Sequence, residues 1–176
     1  IYMAQHRLLV DLIKSFLLAF GLVGITMIVL MRDFVAGALS MIPNVFPALV
    51  AFGTMGLLST AVDIGTMMTA SAAMGIAVDD TLHFLVWFRR GAARNKPRNE
   101  AVFFAFKNCA TALLQTSVIC SIGLVVFVLS PFEPVSKFAR VMATLLFLAL
   151  LGDLVLLPAL LISPLGRWFV PKSARK

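Results

Sequence analysis

Five long apolar segments, joined by short polar connections, constrain the fold of this chain more than any other feature. A helix needs about 20 consecutive apolar residues to cross the hydrocarbon core of a bilayer. Segments of about that length run over residues 12–31, 37–58, 64–88, 107–129 and 141–165. Because the connections are short, neighbouring segments are expected to pack as antiparallel hairpins. The sequence therefore predicts an all-α integral membrane protein built as a five-span helical bundle.

The composition excludes a water-soluble fold of this length. Hydrophobic residues make up 61% of the chain and charged residues 13%, whereas ordinary soluble domains have about 45–50% and about 25%. One protein core cannot hide that much apolar surface, so lipid must cover part of it.

The basic residues predict the orientation of the bundle. The net charge is +7, but Lys and Arg cluster in short segments between the spans, which argues against a nucleic-acid-binding face. One side of the predicted bundle holds Arg32, Arg89, Arg90, Arg94, Lys96, Arg98, Arg167, Lys172, Arg175 and Lys176. The other side holds Arg7, Lys14, Lys137 and Arg140. The positive-inside tendency therefore predicts a cytoplasmic C-terminus and an outer N-terminus.

The chain divides into three parts along its length. Residues 1–11 are predicted to form an amphipathic lead-in continuous with the first span, residues 12–165 the five-helix transmembrane domain, and residues 166–176 a basic cytoplasmic tail. A start at Ile1, without an initiator Met or signal peptide, predicts a piece of a longer protein. Cys109 and Cys120 lie too far apart on one helix for a disulfide, and we expect neither a metal nor a cofactor.

Three acidic residues lie where a membrane helix is expected to be apolar. Asp79 and Asp80 stand about 15 residues into the third span and Asp153 about 12 residues into the fifth, near the bilayer centre at about 1.5 Å per residue. An ionised Asp at that depth costs roughly 2.5–3.5 kcal/mol. Low dielectric and a neighbouring carboxylate both disfavour ionisation, so Asp79 and Asp80 should titrate as a unit. Such a site can load a proton from one side of the membrane and release it to the other.

Further residues are candidates for a proton relay with Asp79 and Asp80, and each candidate also has a purely structural alternative. His83 lies three residues beyond Asp80 on the same predicted helix face, and it is either a relay partner or a local hydrogen-bonding group. The acidic pair is alternatively a neutral polar clamp between spans, and Asp153 alternatively pairs with a helix neighbour. Prolines at 43, 47 and 158 predict either packing kinks or hinges. Small residues in the third span predict a central position for it.

The segment around the acidic pair, GIAVDDTLHFLVWFRR, resembles the acidic fourth or tenth helix of the resistance–nodulation–division (RND) superfamily. The most similar branch exports lipids and includes the hopanoid transporters, the MMPL exporters and the Patched-like proteins. Three further segments resemble its second and third helices, its fifth helix and its closing helix, in that order. They are VLMRDFVAGALSMIPNVFPALVAFGTMGLLSTAVDIGT, SIGLVVFVLSPFEPVSKFARV and LLGDLVLLPALL. Ala139 departs from the pattern, which commonly has Gly there.

The resemblance implies an RND transporter half, namely the C-terminal half of a twelve-span protein, lacking its first helix and exterior domain. It implies residence in the bacterial cytoplasmic (inner) membrane and proton transfer at Asp79 and Asp80 that drives export of lipids or other hydrophobic compounds. The implied partners are membrane lipids, an amphiphilic cargo in a lateral groove along the first three spans, protons, the missing N-terminal half and further copies of the protein.

The main alternative to transport is a sterol-sensing-domain-like module that binds lipid or acts as a scaffold, since the five spans match the extent of that domain. An enzyme is not expected. The chain does not resemble an intramembrane aspartyl protease, which carries a Tyr–Asp motif on one helix and Gly-x-Gly-Asp on another. Here Leu150, Leu151 and Gly152 precede Asp153, and the only tyrosine is Tyr2.

Overall fold

The computed structural model describes residues 2–60, 62–94 and 96–170, with side chains from residue 7 onward. Its α-helices, in chain order, are α1 (Tyr2–Met31), α2 (Phe34–Ser40), α3 (Ile42–Leu57), α4 (Ile64–Ala93), α5 (Arg98–Val128), α6 (Glu133–Leu151) and α7 (Leu157–Ile162). A π-helical turn (Gly152–Leu156) joins α6 to α7, and a 3₁₀-helix (Pro164–Phe169) follows α7. No strand occurs in these three ranges, which confirms the predicted all-α class.

Helix length and hydropathy identify the membrane-crossing elements. Four stretches of the described chain are long and apolar enough to span a bilayer: Arg7–Met31, Phe34–Leu57, Arg98–Val128 and Glu133–Ile162. The fifth long helix, α4, has 30 residues but carries Asp79 and Asp80 near its middle, which lowers its hydropathy. The protein is thus an integral membrane bundle of five long helical stretches. The least apolar of them, α4, is the one that most needs other helices rather than lipid around it.

Helix α4 lies at the centre of the bundle, as its small residues predicted. It packs against α1, α3, α5, α6 and the π-helical turn. Ala70, Ala73 and Ala77 are buried on one face of α4, and Phe84 and Phe88 are fully buried further along it. Alanine side chains let helices approach closely where lipid gives no hydrophobic drive for association.

The second span is divided at Met41 into α2 and α3. Asp33 caps α2, because its carboxylate accepts hydrogen bonds from the backbone N–H groups of Val35 (3.1 Å) and Ala36 (3.4 Å). Pro43 then lies in the first turn of α3, where its missing N–H is not needed. Both pieces remain inside one apolar stretch, so the break lies within the membrane-spanning part of the chain.

The two ends of the bundle differ in charge, as the sequence predicted. At one end, Arg89 donates a hydrogen bond to the carbonyl of Leu30 (2.8 Å) at the end of α1. Arg98 donates to the carbonyl of Ile162 (2.7 Å) at the end of α7. These bonds place the last turns of α1, α4 and α7 at one end, together with the start of α5. The predicted basic tail lies partly outside the described residues, which end at Val170.

An ion pair joins α4 to α6 at the opposite end. Lys137 Nζ lies 2.7 Å from Asp63 Oδ2, and Asp63 also caps α4 by accepting from Thr66 N–H at 2.8 Å. Partial burial opposes ionisation of Asp63, but the hydrogen bonds from Lys137 and Thr66 outweigh it and lower its pKa to about 2. This end of the bundle is therefore held by a charged pair at the membrane edge.

Candidate functional site

The closing helix changes geometry where it carries its acidic residue. Asp153 lies in the π-helical turn between α6 and α7 and is 1% exposed. The N–H of Leu157 donates to the carbonyl of Gly152, five residues earlier, which is the π-helical pattern. Pro158 follows in the first turn of α7, and a proline clashes with the carbonyl four residues before it in a regular α-helix. The wider turn relieves that conflict and sets the position of Asp153.

A close helix crossing brings this turn against the start of α3. A Cβ atom on Gly152 would lie 3.1 Å from the carbonyl oxygen of Pro43. That distance is tighter than ordinary van der Waals contact, so only glycine allows this approach without movement. The crossing brings the turn that carries Asp153 to the start of α3, where Asn44 follows Pro43.

A chain of hydrogen bonds links α3, α4 and the π-helical turn inside the core. The hydroxyl oxygen of Thr81 lies 3.1 Å from Asn44 Oδ1 and 2.5 Å from Asp153 Oδ1. Asn44 Nδ2 in turn donates to the backbone carbonyl of Ser40 at 3.2 Å. All four residues are buried. Three separate spans are therefore connected through side chains that the bilayer cannot hydrate.

Asp80 lies beside this chain, one residue before Thr81, and is 8% exposed. It is close enough to Asp153 for the two carboxyl groups to interact electrostatically, and the Cys109 thiol of α5 interacts with both. The structure thus buries two of the four predicted relay residues, Asp80 and Asp153, in the same part of the core, although they are 73 positions apart in the sequence.

The other two predicted relay residues, Asp79 and His83, lie on a different face of α4. Both are exposed in this bundle, whereas Asp80 and Thr81 between them are buried. Consecutive residues on a helix point about 100° apart, so adjacent carboxylates cannot share one face. His83, three residues beyond Asp80 and four beyond Asp79, is exposed like Asp79, and both groups interact electrostatically with the buried Asp80. The acidic pair is therefore divided between the core and the surface of the bundle.

An apolar cavity of about 510 Å³ lies between α1, α3, α4 and α6. Its lining consists of Phe16, Leu17, Phe20, Asn44, Val45, Pro47, Ala48, Leu49, Phe52, Gly53, Ala70, Ala73, Met74, Ala77, Leu145 and Ala149. Within this lining, Asn44 has the one polar side chain. Leu17 and Leu49 are 61% and 67% exposed, so the cavity opens at the outer surface between α1 and α3. Its volume is in the range of small-molecule sites, roughly 300–1,000 Å³.

Neither Asn44 nor Thr81 was predicted as a site residue from the sequence. Thr81 bonds to side chains of other elements and differs in this from Thr69, Ser71 and Thr116, whose hydroxyls bond to carbonyls of their own helices. Asn44 could have been found from the sequence, because it is a side-chain amide inside an apolar span in which the other nearby polar groups are hydroxyls. Such a group requires a partner.

A bundle of membrane-length helices with two carboxyl groups inside its core defines a polytopic membrane protein with an ionisable centre. The MMPL family pattern matches residues 4–176, and the chain belongs to the MMPL family. It is similar to the "Putative membrane protein MJ1562" of Methanocaldococcus jannaschii, with 28% identity over 165 residues. The match covers 90% of this chain but 42% of that relative, so the chain spans about two fifths of its length. No solved structure matches the chain.

Proposed function

We propose that this chain is part of a transporter that uses the proton gradient to export lipids or other hydrophobic compounds. The observation that carries this proposal is the burial of Asp80 and Asp153 in one region of the core. None of the ion pairs among the described residues includes either of them. An ionised carboxylate is costly in such surroundings without a cation, so its charge changes by gaining and losing a proton.

The lateral cavity supports a hydrophobic cargo. Its lining is apolar except for Asn44, and its opening between Leu17 and Leu49 faces the side of the bundle rather than either end. A molecule dissolved in the bilayer can reach such an opening without crossing water. Asn44 also belongs to the hydrogen-bond chain that ends at Asp153. The cargo route and the ionisable centre therefore share a residue.

The exposed Asp79 and His83 support a partner on this face of α4. Lipid is a poor neighbour for a carboxylate and an imidazole at mid-membrane depth. We place the other half of the transporter against this face, as the RND resemblance implies, with further copies in an oligomer. By the positive-inside tendency, the end with Arg89 and Arg98 is cytoplasmic and the protein resides in the cytoplasmic membrane.

The test is transport by the full-length protein in proteoliposomes with an imposed proton gradient. Asp80→Asn and Asp153→Asn remove the titrating groups but keep the shape of the side chains, so each should abolish gradient-driven movement of a fluorescent lipid. Asp63→Asn is the matched control, because Asp63 is a half-exposed carboxylate at the membrane edge. Normal transport by the Asp80→Asn, Asp153→Asn double variant, at normal expression, would contradict proton coupling through these groups.

The cavity also favours a second function, a sterol-sensing-domain-like module that binds lipid without transporting it. That function requires the cavity but no change in protonation. Lipid binding that is the same in wild type and in the double variant, together with no transport under any imposed gradient, would favour the binding module.

A further inference from the structure

The hydroxyl of Thr81 has two oxygen neighbours but only one proton to give. Asn44 Oδ1 accepts hydrogen bonds and never donates, and an ionised Asp153 carboxylate also only accepts. At 3.1 Å and 2.5 Å, both oxygens are within hydrogen-bonding distance of the hydroxyl. If Asp153 is ionised, the Thr81 hydroxyl can donate its proton to only one of the two oxygens. The other oxygen then faces a lone pair of the Thr81 oxygen and has no donor.

The orientation of the Asn44 amide is fixed from its other side. Its Nδ2 donates to the carbonyl oxygen of Ser40 at 3.2 Å. Turning the amide over would place Oδ1 against that carbonyl, with two acceptors in contact. The backbone of α2 therefore sets the direction of the whole chain, and Asn44 presents an acceptor to Thr81.

Only one arrangement of protons satisfies every member of this chain. A protonated Asp153 donates to Thr81, Thr81 donates to Asn44 Oδ1, and Asn44 donates to Ser40. When Asp153 loses its proton, the Thr81 hydroxyl turns toward the carboxylate, and Asn44 Oδ1 loses its donor. Asn44 is 3% exposed and cannot recover that bond from bulk water. A buried acceptor without a donor is unfavourable.

Asn44 is also the polar side chain in the lining of the apolar cavity. We propose that the cavity binds the apolar body of an alcohol-like amphiphile, and that Asn44 Oδ1 accepts the hydrogen bond of its hydroxyl most strongly when Asp153 is ionised. Proton loss at Asp153 is thereby reported to the cargo site through Thr81. This inference rests on the proposed function in taking the cavity as the cargo site, and it adds the class of cargo and the residue that senses protonation.

Few other titratable groups surround Asp153. Asp80 of α4 and the Cys109 thiol of α5 interact with it electrostatically. Helices α2, α3 and α7, in the ranges given above, contain no titratable residue. The titratable residues of α6 are Glu133, Lys137 and Arg140. They lie in its first turns, more than ten residues before Asp153. A pH effect transmitted through Thr81 therefore has to be separated from one that originates at Asp80.

The experiment compares two ligands that differ only in the donor. A long-chain alcohol and its methyl ether compete with a diazirine-labelled alkyl probe for the full-length protein in lipid nanodiscs. The label on peptides that line the cavity is measured by mass spectrometry between pH 5 and pH 9. Partition of the two ligands into lipid does not depend on pH, so a change in the ratio of their apparent affinities reflects binding in the cavity. The preference for the alcohol should rise about two- to tenfold as Asp153 loses its proton.

Two variants should fix this preference at opposite limits. Asp153→Asn keeps a donor toward Thr81 at every pH, so the preference for the alcohol should stay low. Thr81→Val removes the donor to Asn44 at every pH, so the preference should stay high. Thr81→Ser restores the hydroxyl and should restore the pH dependence. Asp80→Asn should keep the pH dependence, because Asp80 is outside the hydrogen-bond chain.

Three results would overturn the inference. The first is an alcohol-to-ether ratio in the wild type that does not change with pH, which requires no variant to fold. The second is Thr81→Val behaving as Asp153→Asn does. The third is a pH dependence that disappears in Asp80→Asn and persists in Asp153→Asn. The binding assay has no proton gradient, so these results would not contradict proton-driven transport. Failure of the proposed transport function would instead be seen in the proteoliposome assay.

Discussion

The replacement of Thr81 by valine tests the hydrogen-bond chain most economically. Valine has nearly the shape of threonine, so Thr81→Val opens no cavity, although Asp153 Oδ1 and Asn44 Oδ1 must draw back from their hydrogen-bonding distances to admit the methyl group. It removes the hydroxyl that lies between Asn44 and Asp153, and both partners then lack a bond inside the core. The substitution therefore isolates the contribution of one buried hydroxyl to the stability of the bundle.

The expected loss follows from the number of bonds removed. A hydrogen bond between membrane helices contributes about 0.6 kcal/mol on average and up to about 1.7 kcal/mol. Thr81 makes two such contacts, and it is fully buried. We expect Thr81→Val to lower the free energy of unfolding by about 1–3 kcal/mol.

The assay is reversible unfolding in mixed micelles, followed by the fluorescence of Trp87 and Trp168. Thr116→Val is the matched control, since Thr116 bonds only to carbonyls of its own helix. The control should change stability by less than about 0.5 kcal/mol. If Thr81→Val were as stable as the wild type, or if Thr116→Val cost as much, the chain would not hold α3, α4 and the closing helix together.

Two further predictions concern packing and charge away from the chain. A Cβ on Gly37 would lie 2.5 Å from the backbone of Ile28, so Gly37→Ala should destabilise α1 against α2 strongly, by about 2 kcal/mol or more. Gly21→Ala, with nothing within 4 Å, should stabilise α1 or leave it unchanged, and thermal unfolding in detergent compares the two. The pKa of Asp63 is lowered to about 2 from 3.8, so its contribution to stability is complete above about pH 4 and is lost as the pH falls through about 2. Because its side chain is half exposed, this contribution is about 0.2–1 kcal/mol, and Lys137→Met should raise the pKa of Asp63 in a carboxyl titration by NMR.

The architecture was largely predictable from the sequence, because length and hydropathy are local properties of a membrane span. The break at Met41 lies two residues before Pro43, which was recognised as a disruption, but its exact position was not predicted. The π-helical turn around Asp153 was also missed, although Pro158 was recognised as a disruption.

The site was predictable as a set of acidic residues but not as an arrangement. Depth along a helix is readable from the sequence, and it identified Asp79, Asp80 and Asp153. Which of two adjacent acids faces the core depends on the rotation of α4 against its neighbours. The contact between Asp153 and Thr81 joins residues 72 positions apart. It was beyond a sequence argument because it depends on the helix crossing.

The proposed function requires that Asp80 and Asp153 exchange protons inside the membrane, and infrared difference spectroscopy measures this exchange directly. Raising the pH of the full-length protein in lipid should remove the carbonyl band of protonated carboxylic acids. Asp80→Asn and Asp153→Asn should each delete part of that change, and Asp63→Asn should delete none of it above pH 5. Identical difference spectra from the wild type and the Asp80→Asn, Asp153→Asn double variant would contradict the claim.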